Sequence, residues 1–307
     1  MTLKERIYKV EAQIQFMEVR ADLHCHGPNE WRYNPAKWNP RNLARLVEGR
    51  LTAVGIAEMT ETDKRFEMLK LACKNDPGVD IDGNEIYVPK YGVVLFRTEE
   101  IATQKNGKPQ GHVLVFGNKN KIISGSLDEV LDKANEQGAV VIADHAFTGG
   151  NNSITGICAV NSPDKILKYF ADGKIHSMEY NGSLASFSLF NMFFDSNARN
   201  QMAVDFARKN NIYLTASTDA HCVAEMIGER AHTLFDVPDS PYLTEYPMMN
   251  DVDSMKIALR TPGNKIVPVM KPGPAFYLDK HIGHIAALMG LSKLGYNPDK
   301  HYLKLKK

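Results

Sequence analysis

The sequence predicts an α/β chain built of repeated β-α units around a mainly parallel sheet or barrel. Apolar runs too short to be helices alternate with longer segments of helical period, and acids or histidines recur at the ends of those runs. With 307 residues, 43% of them hydrophobic, the chain can bury one large core. We expect one domain over residues 1–307, its core at about 19–235 and a segment 236–307 packing against it.

In chain order, strands are expected over Val19–His24, Ala53–Glu58, Val93–Thr98, Val113–Phe116, Ala139–Ala143, Ile175–Glu179 and Ile212–Ala216. Between them Pro40–Gly49, Leu127–Gln137, Pro163–Ala171 and Ala198–Asn210 carry helical spacing. Two starts are marked by chemistry. Ser126 with Glu129 three residues later forms a capping-box pattern, and Ser162-Pro163 offers a cap followed by proline in the first turn. Lys74–Gly83 reads as a polar insertion bearing Gly and Pro. The stretch after Asp236 is richer in proline and is expected to wrap the barrel, and the basic KHYLKLKK end reads as a solvated tail.

Lys plus Arg (37) nearly cancels Asp plus Glu (36), which removes a global field toward nucleic acid or an anionic membrane. Any phosphate affinity must therefore be local. The first residues, MTLKERIYKVEAQIQF, lack the unbroken apolar core of a signal peptide, and no run reaches the ~18 apolar residues of a membrane span. A cytoplasmic protein is expected. Cys25, Cys73, Cys158 and Cys222 show no CxxC spacing and suit reduced thiols better than a disulfide framework or a zinc finger.

The chemistry lies at the strand ends. His24-Cys25-His26 follows Asp22-Leu23, and residues two apart on a strand share a face, so both imidazoles reach one metal while Cys25 points away. Glu99-Glu100, Gly111-His112, Asp144-His145 and Asp219-Ala220-His221 follow in order, each at an end of a buried-looking strand. In α/β barrels active sites collect at such ends. Mixed imidazole and carboxylate donors suit Zn, Mn or Fe, and a shared carboxylate can hold two ions at the ~3.5–4 Å that phosphoryl chemistry uses. On spacing alone either Glu99 or Glu100 faces inward, and Asp144 has an alternative role in orienting a ligand histidine.

At these residues the sequence resembles the PHP (polymerase and histidinol phosphatase) family over about residues 19–235: a first HxH, an acid after the second strand, a Glu, two single His and a final DxH. GHVLVFG, HSMEYNG, STDAH followed by IGERAHTLF, and ALRTPGNKIV are similar to the family's supporting segments. The resemblance implies a distorted (β/α)7 TIM-like barrel with a Pro-rich C-terminal extension. It further implies a metal-dependent phosphoesterase that hydrolyses a phosphomonoester or phosphodiester with a metal-bridging hydroxide. By the same resemblance His24, His26, Glu100 and Asp219 surround one divalent ion, and Glu100 bridges to a second held by His112 and His145.

Two departures bear on a third ion. Ala57-Glu58-Met59 has a thioether where the family has a histidine, and GPNEWRYNP after the HxH has no histidine. A third site is expected to be empty, weak or rebuilt from Glu58 and His221, and Asp219, His221 and Arg230 are the catalytic candidates. Phosphate also needs cations, and Arg32, Lys64, Arg65, Arg97 and Arg230 lie beside the motifs, with Arg32, Arg97 and Arg230 taken as substrate-binding. Gly149-Gly150-Asn151-Asn152 reads as a turn or lid, and Phe187, Phe190, Phe193 and Phe194 as one apolar helical stripe. The expected partner is a small phosphorylated substrate or nucleotide; nucleic acid is open but not indicated by charge. Two alternatives stand beside this: an amidohydrolase-like hydrolase, which would bridge its metals with a lysine where a glutamate stands here, and a non-catalytic or nucleic-acid-associated PHP module.

Overall fold

The computed structural model describes residues 16–27, 39–59, 63–149, 156–182, 196–220, 226, 231–238 and 251–270. Its strands are β1 (Phe16–Cys25), β2 (Ala53–Glu58), β3 (Asp80–Asp82), β4 (Glu85–Val88), β5 (Val93–Lys105), β6 (Lys108–Phe116), β7 (Val140–Ala143), β8 (Ser177–Asn181), β9 (Tyr213–Ser217), β10 (Ala231–Pro238) and β11 (Ile266–Met270). The helices are α1 (Pro40–Val47), α2 (Arg65–Cys73), α3 (Leu127–Glu136), α4 (Ile157–Val160), α5 (Pro163–Ala171), α6 (Ser196–Lys209) and α7 (Asp251–Arg260). Among the described residues no helix is long and apolar enough to cross a membrane.

The sheet runs β11-β10-β1-β2-β5-β6-β7-β8-β9, with the β3-β4 hairpin attached to β5. Its two ends approach each other beyond β9, where Ala220 forms a parallel bridge with Cys25. The His26 amide donates to the Ala220 carbonyl at 2.9 Å and the Asp219 amide to the His24 carbonyl at 2.7 Å. The result is a nearly closed, barrel-shaped sheet of the TIM-like kind. Its interior is packed by Val19, Ala21, Leu23, Ala53, Ala57, Phe96, Leu114, Phe116, Val140, Ile142 and Phe235, with Val252, Met255, Ala258 and Leu259 of α7 joining the same cluster. Outside, Val54, Ile56 and Leu95 meet α1 and α2, while Val113, Val115 and Val141 meet α3, α5 and α6.

The helix starts follow their sequence chemistry. Ser126 accepts from the Glu129 amide while the Glu129 side chain accepts from the Ser126 amide, and Ser162 caps α5 with Pro163 in its first turn. The expectation of a mainly parallel sheet is corrected: β10 runs antiparallel to β1 and β11, β4 to β3 and β5, and β6 to β5 and β7. Among the described residues β1-β2, β2-β5, β7-β8 and β8-β9 are the parallel pairs, and the reversal at β6 bears on the site. The cause was present in the sequence as Asn106-Gly107. Lys105 pairs with Lys108, and the two residues between them have φ of 52° and 72°, the backbone that a tight two-residue hairpin requires. The strand expected to stop at Thr98 therefore continues to Lys105, and Glu100 sits mid-strand rather than at a strand end. The Lys74–Gly83 insertion holds β3 and the turn to β4, and α2 lacked a sequence signal because its apolar residues fall on no single face.

One local irregularity sets up the mouth of the barrel. Asp22 pairs with Val54 and Cys25 with Ile56, so β1 carries one residue more than β2 between those pairs. Such a bulge re-aims the side chains that follow it. Leu23 lies in the interior cluster and Cys25 in the outer one, while His24 and His26 follow Leu23 on the inner side. The neighbouring β2 leaves room for this at Gly55, where a Cβ would stand 2.5 Å from the Leu23 carbonyl oxygen and 2.6 Å from Thr98 Cγ2. Gly55→Ala should therefore destabilise the protein by about 1–3 kcal/mol, the usual cost of overpacking, read as a lower midpoint in urea unfolding. An unchanged midpoint would show that β1 can shift and that its bulge is not held by this contact.

Candidate metal centre

Side chains from six strands or their ends meet at one mouth of the barrel. The bulge delivers His24 and His26, whose Nε2 atoms lie 3.1 Å apart. Asp219, just past β9, brings Oδ1 to 3.5 Å from His24 Nε2 and 3.3 Å from His26 Nε2. The antiparallel β6 returns His112 to the face of β5 that carries Glu100, since Glu100 pairs with Leu114 and Ala102 with His112. Beyond β7, Asp144 and His145 enter from the third side. Asp219 and His145 both have positive φ, 51° and 26°, so the chain leaves two strands in backbone conformations that non-glycine residues rarely adopt.

Glu100 is the centre of the arrangement. One carboxylate oxygen, Oε2, lies 3.2 Å from His26 Nε2 and 3.8 Å from His24 Nε2. The other, Oε1, lies 3.0 Å from His145 Nε2 and 3.9 Å from His112 Nδ1. Burial opposes its ionisation, yet the His145, His24 and His26 imidazoles outweigh that and hold its carboxyl well below the usual range. Burial drives His112 down to about 4, which leaves its ring neutral with a free lone pair. His145 is buried too, but Asp144 and Glu100 raise it to about 10.

A second layer orients the rings. His24 donates from Nδ1 to Glu179 Oε1 at 3.0 Å, which fixes its Nε2 lone pair toward the cluster. His26 does the same from Nδ1 to the Ala57 carbonyl at 3.2 Å. Glu179 Oε2 accepts the His145 amide at 3.0 Å, and Asn181 donates to both Glu179 Oε2 (3.3 Å) and Asp219 Oδ2 (3.0 Å). Asp22 accepts from the Thr218 amide and from the His24 amide, tying the bulge to the segment that carries Asp219. Arg65 donates to the His26 carbonyl at 2.6 Å and is ion-paired with Asp63.

Among the described residues three groups of side chains could hold a cation: His24, His26 and Asp219; Glu100, His112 and His145; and His24, Glu100 and Asp144. The residues fit such ions on two counts. Their donors are the imidazole and carboxylate mixture that suits Zn, Mn or Fe. Furthermore His112 Nδ1, His145 Nδ1 and both Asp144 carboxylate oxygens are buried with no hydrogen-bond partner, a costly condition for polar groups unless a cation satisfies them.

Several sequence-derived candidates lie elsewhere. Glu58 is on the outer face of β2, where Oε1 accepts the Phe66 amide at the start of α2 and Oε2 pairs with Lys121 at 2.7 Å. The expectation that it rebuilds a third ion site is corrected: its charge is already matched away from the mouth. Met59 is 40% exposed and outside the three groups. Glu99 accepts from Asn118 and from the Ile122 amide, and Arg97 pairs with Glu99 at 3.3 Å while donating to the Asn118 carbonyl. That corrects Arg97 as a substrate contact, because strand alternation puts Arg97 and Glu99 on the face opposite Glu100. Lys64 is exposed at the start of α2. Arg32, His221, Arg230, Gly150, Asn151, Asn152, Phe187, Phe190, Phe193 and Phe194 lie outside the described residues. Glu179 and Asn181 were not singled out as site residues, although their spacing of two on β8 is the same signal as in His24 and His26.

A family model described as PHP-associated matches residues 197–245, from α6 through β10. A search of curated protein sequences gives no match. Among solved structures the fold is similar to PsfC from Pseudomonas syringae PB-5123, with a TM-score of 0.55 and 14% identity over 90% of this chain and 99% of that one. It is also similar to the lesion-specific endonuclease PfuEndoQ from Pyrococcus furiosus, with a TM-score of 0.50 and 18% identity over 83% of this chain and 60% of the endonuclease.

Glu179→Gln should weaken metal retention about 10–100-fold, because an amide matches the His24 Nδ1 proton poorly and loses the charge. Competition against a chromogenic chelator measures this. Retention equal to that of the unaltered protein would mean that His24 keeps its ring orientation without the carboxylate.

Proposed function

We propose that this chain, whose PHP-associated match and barrel support the PHP domain family, is a metal-dependent phosphoesterase working with two divalent ions. The single observation that carries the reading is the Glu100 carboxylate, each of whose oxygens faces a separate group of histidines. His24, His26 and Asp219 would hold one ion and His112 with His145 the other, with Glu100 shared between them. Two ions so placed supply water activation and neutralisation of charge on a phosphoryl oxygen.

The chain's own residues do the rest. Glu179 and the Ala57 carbonyl keep Nε2 of His24 and His26 as electron-pair donors by binding the proton at Nδ1. Asn181 holds Asp219 by Oδ2, leaving Oδ1 directed at the two imidazoles. The buried walls around these groups keep bulk water from screening them. Arg230 and Arg32 are the proposed cations for substrate phosphate, and His221 and Asp219 the proposed proton-handling groups, on the sequence motifs alone.

A small phosphorylated metabolite or nucleotide is the proposed substrate, because a net charge of +1 provides no general attraction for a polyanion. The likeness to a lesion-specific endonuclease makes DNA the second class to test.

The test is metal analysis of the purified protein, followed by a screen of phosphorylated metabolites, nucleotides and oligonucleotides with Mn added back. Two ions per chain and turnover of a phosphoester are expected, and Glu100→Gln should reduce both metal retention and turnover by more than about 100-fold, beyond the loss of a supporting partner. A metal-free protein, or a Glu100→Gln variant with unchanged occupancy and turnover, would remove the two-metal reading. Turnover of oligonucleotides alone would move the substrate to nucleic acid.

A further inference from the structure

On a regular strand Asp144 and His145 would point to opposite faces of the sheet. Here β7 ends at Ala143, and the positive φ of His145 (26°) turns the chain so that both side chains enter the mouth. The turn is held by the His145 amide on Glu179 Oε2 at 3.0 Å and by the Thr148 amide on the His145 carbonyl at 2.8 Å. Asp144 continues the inner row of Val140 and Ile142 and is wholly buried in the centre, with ligand-competent atoms of His24 and Glu100 within 4.8 Å, and the turn brings His145 in beside it.

Its surroundings do not explain it as a structural acid. Neither carboxylate oxygen has a hydrogen-bond partner, whereas the other buried acids nearby are matched: Asp22 by Thr218 and the His24 amide, Glu179 by His24, Asn181 and the His145 amide, Glu99 by Asn118 and the Ile122 amide. Nor is it placed to orient His145. An orienting acid binds the ring nitrogen that faces away from the ion. Asp144 Oδ2 instead lies 3.4 Å from His145 Nε2, the nitrogen that also faces Glu100 Oε1 at 3.0 Å, while His145 Nδ1 has no partner. Asp144 is thus on the cluster side of the ring.

We propose that Asp144 is a further metal ligand, its carboxylate completing the coordination of the ion held between His24 and Glu100. The inference rests on the two-metal reading above and adds a third carboxylate, beside Glu100 and Asp219, to the donor set. Carboxylate-rich sites favour Mn and Fe over Zn, whose preference is for imidazole and thiolate. Asp144 would therefore tilt the centre toward the harder ions.

The experiment compares the unaltered protein with Asp144→Asn and Asp144→Ala, each reloaded with Mn and titrated against a chelator, with thermal unfolding recorded with and without Mn. One ion should be held at least about 10-fold more weakly in both variants, and the rise in Tm on adding Mn should shrink. Metal-free Asp144→Asn should unfold no lower than the metal-free parent, since it removes a buried acid that no group hydrogen-bonds and leaves His145 the Glu100 carboxylate at 3.0 Å. Parent-like Mn affinity and parent-like Mn-induced rise in Tm would overturn the assignment, as would a metal-free variant that unfolds well below its parent. If the substituted chains do not fold, anomalous diffraction from Mn-loaded crystals of the unaltered protein decides instead. An Asp144 oxygen about 2.0–2.2 Å from an ion supports the proposal, and one beyond about 3.5 Å refutes it. An unaltered protein that binds no Mn overturns the two-metal reading and this inference together; two tightly held ions with Asp144 uninvolved overturn only this inference.

Discussion

The buried carboxylate of Glu100 is the interaction on which the mouth of the barrel depends. Its two oxygens lie 3.2 Å from His26 and 3.0 Å from His145, on imidazoles carried by strands that do not neighbour each other in the sheet. An isolated buried carboxylate would be expelled or protonated. Here the surrounding rings keep it ionised, and it in turn keeps those rings facing one point. Remove that charge and His24, His26, His112 and His145 lose the group toward which they converge.

The fold supplies this geometry through two breaks in its own regularity. The extra residue in β1 lets His24 and His26 follow Leu23 on the inner side. The Asn106-Gly107 hairpin reverses the chain so that His112 comes back beside Glu100 on the same sheet face. A strictly parallel barrel would have delivered each ligand from a strand end. This one delivers Glu100 from the middle of a 13-residue strand, with its partner two pairs further along the hairpin. Depth of burial follows from that placement, and burial is what makes each unmatched polar atom in the centre costly enough to demand a cation.

Adjacent residues along the same strands take opposite tasks because side chains alternate. Glu100 turns inward while Glu99 binds Asn118 and the Ile122 amide outside, and Ala57 offers its carbonyl to His26 while Glu58 caps α2 and meets Lys121. The outer acids stabilise loops and a helix start, so the acidic character of these strand ends is divided between structure and chemistry. His145 joins Asp144 on the inner side, against that alternation, only because the backbone turns at His145.

The sequence by itself determined the strands β1, β2 and β5 to β9, the helices α1, α3, α5 and α6, the capping of α3 and α5, and the identity of the converging imidazoles and acids, since periodicity, cap chemistry and spacing are local properties written in adjacent residues. It did not determine β3, β4 or α2. His24, His26, Glu100, His112, His145 and Asp219 were all legible on those grounds, with a family resemblance selecting Glu100 over Glu99. The direction of β6 was also written locally, in Asn106-Gly107, whereas tertiary structure alone decided the bulge in β1, the outward fate of Glu58 and Arg97, and the inward turn of His145 beside Asp144. Each of these depends on which face of a strand meets the core and on partners far away in sequence, such as Glu179, 155 residues from His24. Pairing energies between distant segments fix them, and no window of neighbouring residues contains that information.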